Sequence, residues 1–285
     1  MEWITLSNGV KMPVLGFGVY QIPADICTEV VCQALSAGYR LIDTAQIYRN
    51  EEAVGQALQK SSVPREELFL TGKIWIANAG YEKAKASIDG TLRKLGTDYL
   101  DLMLIHQPFG DYYGAYRAME EAYRAGKLRA IGVSNFYPDR LIDLWHFVEV
   151  KPMVNQAESH ILYQQQKAHE IMEQYGVHHQ AWAPFAHGRM NFFSIGALRE
   201  IAHNHGKTGA QVAERFLLEA GRSVVAKTTH RERMAENLDV FDFSLTAQEK
   251  ESLRSLDGTT SAFFSHTDPE TVESLCKRGA EVWQN

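Results

Sequence analysis

Cysteine is scarce: the 285 residues hold three, Cys27, Cys32 and Cys276. An odd number without C-x-x-C spacing argues against a disulfide framework or a cysteine zinc site and fits a reducing compartment. Long apolar runs are also missing, since nowhere do the about 18 consecutive apolar residues of a membrane span occur. The opening MEWITLSNGVKMP has no basic region followed by an apolar core, so it does not read as a secretory leader. There is no Lys/Arg run, and a formal net charge of −6 argues against the broad basic surface that grips nucleic acid. No linker or low-complexity stretch divides the chain. The expectation is one domain over residues 1–285, cytoplasmic, with neither nucleic acid nor membrane as partner.

What is present describes an ordinary globular chain with ample material for a core, 45% hydrophobic and 22% charged. Asn8-Gly9 between alternating segments is the signal for a tight hairpin at the start. Short apolar strands then alternate with amphipathic helices. VLGFGVY precedes a helix over Ala24 to Ala37, RLIDTA a helix from Glu51, and LFLTGKIW a helix over Tyr81 to Leu95. LDLMLIH, LRAIGVSNF, PMVNQAES, HHQAWAPF and SVVAKT continue the series, with RERMAENL as its last helix. Glycines in SAGYR, RAGK, QYGV and EAGR mark helix ends. About eight strand and helix pairs predict an α/β fold of the (β/α)8 TIM barrel type, with an N-terminal β-hairpin and extra helices. An open doubly wound sheet would want a phosphate fingerprint in its first turn. GFGVYQ has Gly16 and Gly18 but no third glycine and no helix directly behind it.

In such a barrel the chemistry gathers where strands end at the C-terminal face. Asp43 closes RLIDTA, Lys73 lies late in LFLTGKIW, His106 closes LDLMLIH, and Tyr48 follows where the chain leaves the strand of Asp43. Each alone has a structural reading: Asp43 as a turn cap, Tyr48 as packing, His106 as a satisfied loop histidine. Together they form an electrostatic unit. Asp43 can neutralise a buried Lys73, and the ammonium beside Tyr48 is expected to bring a phenol pKa of about 10 down towards working pH. Tyr48 is then a general acid, and a neutral His106 donates to a developing oxyanion.

An activated nucleophile is lacking, because no G-x-S-x-G occurs and no cysteine sits at a strand end. The histidines at 178–179 and 203–205 have no partners at ligand spacing, so no metal is expected. A nicotinamide hydride would supply the second reactant. Ser134, Asn135 and Gln156 offer groups suited to its carboxamide, Trp182 offers a flat face, and Lys227, Thr228 and Arg233 lie near a helix start that attracts phosphate.

These residues, together with NGVKMPVLGFGVYQ, GYRLIDTAQIYRNEEAVG, DYLDLMLIHQP, GKLRAIGVSNF, VNQAESH and RMAENLDVFDFSL, give the chain a close resemblance to the aldo-keto reductases. That family comprises NAD(P)H-dependent barrel enzymes interconverting carbonyls and alcohols. The resemblance implies a catalytic tetrad of Asp43, Tyr48, Lys73 and His106, with Tyr48 as proton donor. It implies cofactor contacts from Gly18, Val19, Asp43, Ser134, Asn135, Gln156, Trp182, Ala183, Phe185 and Ala210. The adenosine 2′-phosphate falls to Lys227, Thr228 and Arg233, and the adenine to Glu236 and Asn237, with Thr229 a further cofactor contact, which favours NADPH/NADP+. A small carbonyl substrate would meet Tyr20, Ile47, Trp75, His106, Gln107, Phe136 and Phe264. Departures from the pattern are Gln107 for an aromatic residue, Ala226 for a proline, Thr228 for a serine and Gly72 for a threonine. The loop after His106 is short, as in the bacterial branch that includes 2,5-diketo-D-gluconate reductases, and a monomer is implied. Two rival readings are an NADP(H)-binding sensor without turnover and a barrel isomerase using Asp43 as base.

Overall fold

The Asn8-Gly9 turn forms at the start of the chain. In the computed structural model, which describes residues 2–281, β1 (Trp3–Thr5) pairs antiparallel with β2 (Lys11–Pro13). Gly9 adopts φ 86° and donates to the Leu6 carbonyl at 2.8 Å, while the Leu6 N–H reaches the Val10 carbonyl at 2.9 Å. This is a type of hairpin loop that needs a left-handed residue at its end, which glycine supplies without strain. Met12 is fully buried and its sulfur accepts from Gln180 inside the barrel.

The barrel strands are β3 (Leu15–Gly18), β4 (Leu41–Asp43), β5 (Phe69–Ile74), β6 (Leu102–Ile105), β7 (Ile131–Ser134), β8 (Val154–Glu158), β9 (His178–Trp182) and β10 (Ser223–Ala226). They pair in parallel in that order, and β10 closes back on β3. Every residue of β3 to β8 and β10 is buried, because helices cover the outside and side chains fill the inside. The covering helices are α1 (Ala24–Ala37), α2 (Glu51–Lys60), α3 (Tyr81–Leu95), α4 (Tyr112–Arg124), α5 (Pro138–Phe147), α6 (Gln166–Gln174), α7 (Gly196–His205), α8 (Gly209–Glu219) and α9 (Arg231–Leu238). Gly38, Gly126, Gly176 and Gly221 all take positive φ behind helices, as the sequence predicts.

The expectation of RERMAENL as the last helix is corrected by α10 (Ala247–Arg254) and α11 (Pro269–Glu281). The first begins with a reciprocal cap between Thr246 and Glu249, a T-x-x-E signal that the sequence does carry. The second starts at Pro269, where the Asp268 carboxylate accepts from the Thr271 N–H at 2.9 Å.

Strand stagger determines which side chains meet. Asp43 is paired with Thr71, and Lys73 lies two places further along β5. Lys73 in turn is paired with Leu104, and His106 lies two places beyond that. Alternate residues of a strand share one face. The same stagger therefore turns all three side chains to one interior and steps them up the barrel mouth.

Candidate active site

At that mouth Lys73 is 1% exposed and forms an ion pair with Asp43 Oδ1. Its ammonium also donates to the Thr44 carbonyl at 3.2 Å and to Tyr48 Oη at 3.3 Å. Tyr48 comes from a short 3-10 turn over Gln46–Tyr48 that folds back over β4. Gln46 secures this turn: its amide oxygen accepts from the Trp75 N–H at 3.0 Å and Asn78 Nδ2 at 2.7 Å. The Tyr48 and His106 rings meet edge to face with centroids 5.7 Å apart, and Trp75 meets His106 at 5.3 Å.

The electrostatics differ from the sequence expectation at one group. Burial pushes the Tyr48 phenol well above its ordinary pKa, and the Asp43 carboxylate and Tyr20 add to the rise. The expected lowering by Lys73 is overturned because Asp43 already answers the ammonium, so the phenol meets a nearly neutral pair in a desolvated place. Lys73 itself is lowered by burial, with Asp43 opposing. His106 is held well below the usual imidazole range by burial, then by Lys73 and His266. It is a neutral ring. Its Nδ1 is buried without a partner among the described residues, and an orphaned N–H is costlier than a bare nitrogen, which assigns the proton to Nε2.

Asp43, Tyr48 and His106 line a cavity of about 930 Å³, and Lys73 sits behind its wall. Of the residues expected around a cofactor, Gly18, Ser134, Asn135, Gln156, Trp182, Ala183, Phe185 and Ala210 line it. Lys227, Thr228, Arg233, Glu236 and Asn237 line its far end. Tyr20, Ile47, Trp75, Gln107 and Phe264 line the catalytic end. Three expected residues are not brought in. Val19 is fully buried, with its N–H on the Asp43 carbonyl at 3.0 Å. Phe136 packs edge to face on Tyr112 at 5.3 Å, away from the cavity. Thr229, half-buried, lies past the lining.

The polar atoms set what a ligand can find. Gln156 Nε2 donates to Asp43 Oδ2 and to Gln180 Oε1, both at 2.7 Å, so both of its protons are used. Asn135 Nδ2 donates to the His106 carbonyl and Ser134 Oγ, each at 3.0 Å, and Asn135 Oδ1 accepts from Trp182 Nε1 at 2.9 Å. Ser134 Oγ donates to the Gln156 carbonyl at 2.8 Å. Gln156 Oε1 and the second lone pair of Asn135 Oδ1 remain as acceptors, which fits the NH2 of a carboxamide. Beside them Gly18 lacks a Cβ that would sit 3.0 Å from Val225, so the backbone there is open to close approach. At the other end Lys227 and Arg233 are exposed cations with no ion pair among the described residues. The residues fit a phosphorylated nicotinamide dinucleotide.

Several lining residues escape the sequence reading. His187, Gly188, Arg189 and Phe193 come from the loop behind β9, where Ala183, Ala186, His187, Met190 and Asn191 all take φ between 47° and 59°. Left-handed conformations at non-glycine residues leave no pattern in sequence, and they cluster at functional loops. Phe263, Leu275 and Arg278 come from the tail. Phe263 packs on Trp182 at 5.2 Å, and Arg189 lies over Phe263 at 4.6 Å. Thr208, which opens α8 with a reciprocal cap to Gln211, was detectable from its T-x-x-Q spacing.

Comparison with known proteins identifies relatives of this chain. The sequence profile of the Aldo/keto reductase family matches residues 14–257. Glyoxal reductase of Bacillus subtilis (strain 168) is 41% identical over 257 residues, 90% of this chain and 92% of that protein. A putative 2,5-diketo-D-gluconic acid reductase B superposes with a TM-score of 0.87 at 37% identity, over 92% of this chain and 93% of its own. An aldo-keto reductase of Bombyx mori in complex with NADP superposes with a TM-score of 0.88 at 29% identity, over 95% of this chain and 96% of its own.

Proposed function

The chain belongs to the aldo-keto reductase family of oxidoreductases, and from that premise we propose that it reduces small aldehydes or ketones, keto sugars among them, with NADPH. The observation that carries the reading is the placement of Lys73 Nζ between the Asp43 carboxylate and Tyr48 Oη, 3.3 Å from the phenol, behind a cavity with a neutral His106 on the other side. When bound, the dinucleotide supplies a hydride to the carbonyl carbon. The oxygen becomes an alkoxide and takes the phenol proton of Tyr48. His106 Nε2–H donates to the same oxygen and fixes its approach. The phenolate left behind is steadied by the Lys73 ammonium, which Asp43 keeps charged, and Tyr48 recovers its proton from water.

Gln156 Oε1 and Asn135 Oδ1 would hold the carboxamide, and Lys227 and Arg233 would favour a 2′-phosphate over a free hydroxyl. The similarity to a glyoxal reductase and to a putative diketogluconic acid reductase supports a small oxygen-rich substrate. The test is the loss of NADPH absorbance with a panel of aldehydes, ketones and keto sugars, beside NADH and Tyr48→Phe. Turnover that favours NADPH and falls by about a thousandfold or more in the variant is expected for loss of the proton donor. Tight NADPH binding with no turnover across the panel would instead support a binding protein without catalysis.

A further inference from the structure

One polar side chain at the catalytic end is aimed by a residue from the far end of the sequence. Gln107 follows His106 directly, is 6% exposed and lines the cavity. Its Oε1 lies 2.6 Å from His266 Nε2. His266 belongs to the tail before α11 and does not line the cavity. Its ring is boxed by Phe109, stacked at 6.0 Å, Tyr137 at 5.5 Å and Phe264 at 5.1 Å. Its backbone N–H donates to Tyr137 Oη at 3.2 Å. Burial holds its pKa down to about 4, with Glu158 opposing, so the ring is neutral at ordinary pH. An amide oxygen only accepts, and the His266 proton therefore sits on Nε2. With Oε1 turned to His266, the Gln107 NH2 is turned away from it. That nitrogen has no protein partner among the described residues and is not closed off from the cavity.

We infer that Gln107, aimed by His266, is a specificity-determining donor for a second oxygen on the carbon next to the reacting carbonyl, so that α-dicarbonyl and α-hydroxycarbonyl compounds are preferred over simple aldehydes. The inference rests on the reductase reading above and adds to it. His106 Nε2–H and Tyr48 Oη serve the oxygen that gains charge, and Gln107 Nε2 is a third donor one residue away that neither proton transfer nor the carboxamide uses. A substrate bearing one oxygen leaves this donor unanswered in a largely desolvated pocket, and a substrate bearing two satisfies it. His266 touches no substrate. It is a positioning residue, and the tail thereby contributes to selectivity through Gln107.

The experiment compares kcat/KM, followed by NADPH absorbance, for methylglyoxal and propanal, which differ by the second oxygen. His266→Phe keeps an aromatic ring in the box and removes the donor to Gln107. His266→Gln restores a donor, and Gln107→Leu removes the amide. The expected result is a methylglyoxal to propanal ratio that falls about tenfold in His266→Phe and in Gln107→Leu, the size of one neutral hydrogen bond, with propanal turnover in His266→Phe within about twofold of wild type. The ratio recovers in His266→Gln. NADPH fluorescence titration of each variant separates loss of selectivity from loss of fold. An unchanged ratio in both His266→Phe and Gln107→Leu overturns the role of Gln107 while the reductase stands. Wild-type protein that consumes no NADPH with either compound overturns the reductase reading itself.

Discussion

Tyr48 carries the sharpest consequence of burial at a single residue. Its phenol holds its proton well above the ordinary range, chiefly because the charged form would be desolvated. On the proposed mechanism, reduction spends that proton, and the enzyme is loaded throughout the neutral range. Alcohol oxidation needs the phenolate, which is then the rare form at pH 7. Carbonyl reduction should therefore be nearly flat between pH 6 and 8, while kcat/KM for alcohol oxidation rises by about tenfold per pH unit in the same range. Parallel pH profiles of the two directions check this, and an oxidation rate indifferent to pH would refute the assignment of Tyr48 as the proton carrier. That Asp43, Lys73, His106 and Tyr48 share one mouth was legible because three of them end strands and a barrel gathers such ends on one face. The sign of the Tyr48 shift was not, since which of two neighbours Lys73 answers is decided by side-chain geometry rather than by order along the chain.

Between elements, local signals and tertiary ones part company. Strands, most helices and the hairpin were legible because apolar period, glycine ends and Asn-Gly turns are local. The loop behind β9 and the tail over the mouth were not, because they are shaped by each other: Arg189 Nη1 donates to the Ala262 carbonyl at 2.8 Å, and Glu158 accepts from the Ala262 N–H at 2.8 Å. Asp101, just before β6, shows what such long-range ties contribute at the opposite end of the barrel. Its side chain is fully buried, Oδ2 accepts from Arg65 Nη2 at 2.8 Å and the Leu70 N–H at 2.9 Å, and Oδ1 accepts from Arg129 Nη1 at 2.8 Å. One carboxylate thus joins the turn before β5, β5 itself and the entry to β7. Asp101→Asn keeps the shape, removes the charge and turns one acceptor into a donor facing a guanidinium. A loss of about 2 to 4 kcal/mol in urea unfolding is expected, with kcat and KM per folded molecule unchanged because the mouth lies at the other end of the strands. A urea midpoint equal to wild type would contradict it.

Across the whole barrel the two ends divide the work, and the N-terminal end has its own response to acid. His178 and His179 open β9, and His169 on α6 faces His179 at 5.4 Å between ring centroids. Buried Arg222, beside the start of β10, disfavours charge on His169 and His179, while Glu170 and Glu173 favour it on His169. His179 has neither ring nitrogen partnered among the described residues, and burial holds it well below the usual range, as it holds His178 at about 4. A group whose folded pKa is depressed stabilises the fold above its unfolded pKa, here about 6.5, and that stability is lost as pH falls towards the folded value. Between about pH 6.5 and 4 the unfolded chain binds protons that the folded chain refuses. Each such histidine then costs roughly 1.4 kcal/mol per pH unit. Glu214, raised well above the carboxylate range by burial and Glu236, works in the opposite sense, because the folded state keeps its proton where the unfolded chain has lost it. The histidines outnumber it, so stability should fall by several kcal/mol from pH 7 to 5. His179→Leu isolates one member: with no hydrogen bond to lose, its stability at pH 7.5 should lie within about 1 kcal/mol of wild type. The slope of unfolding free energy against pH between 6 and 5 should be shallower by about one proton. Urea titrations at pH 7.5, 6 and 5 on both proteins measure that slope, and parallel lines would mean that His179 takes up its proton without opening the barrel floor.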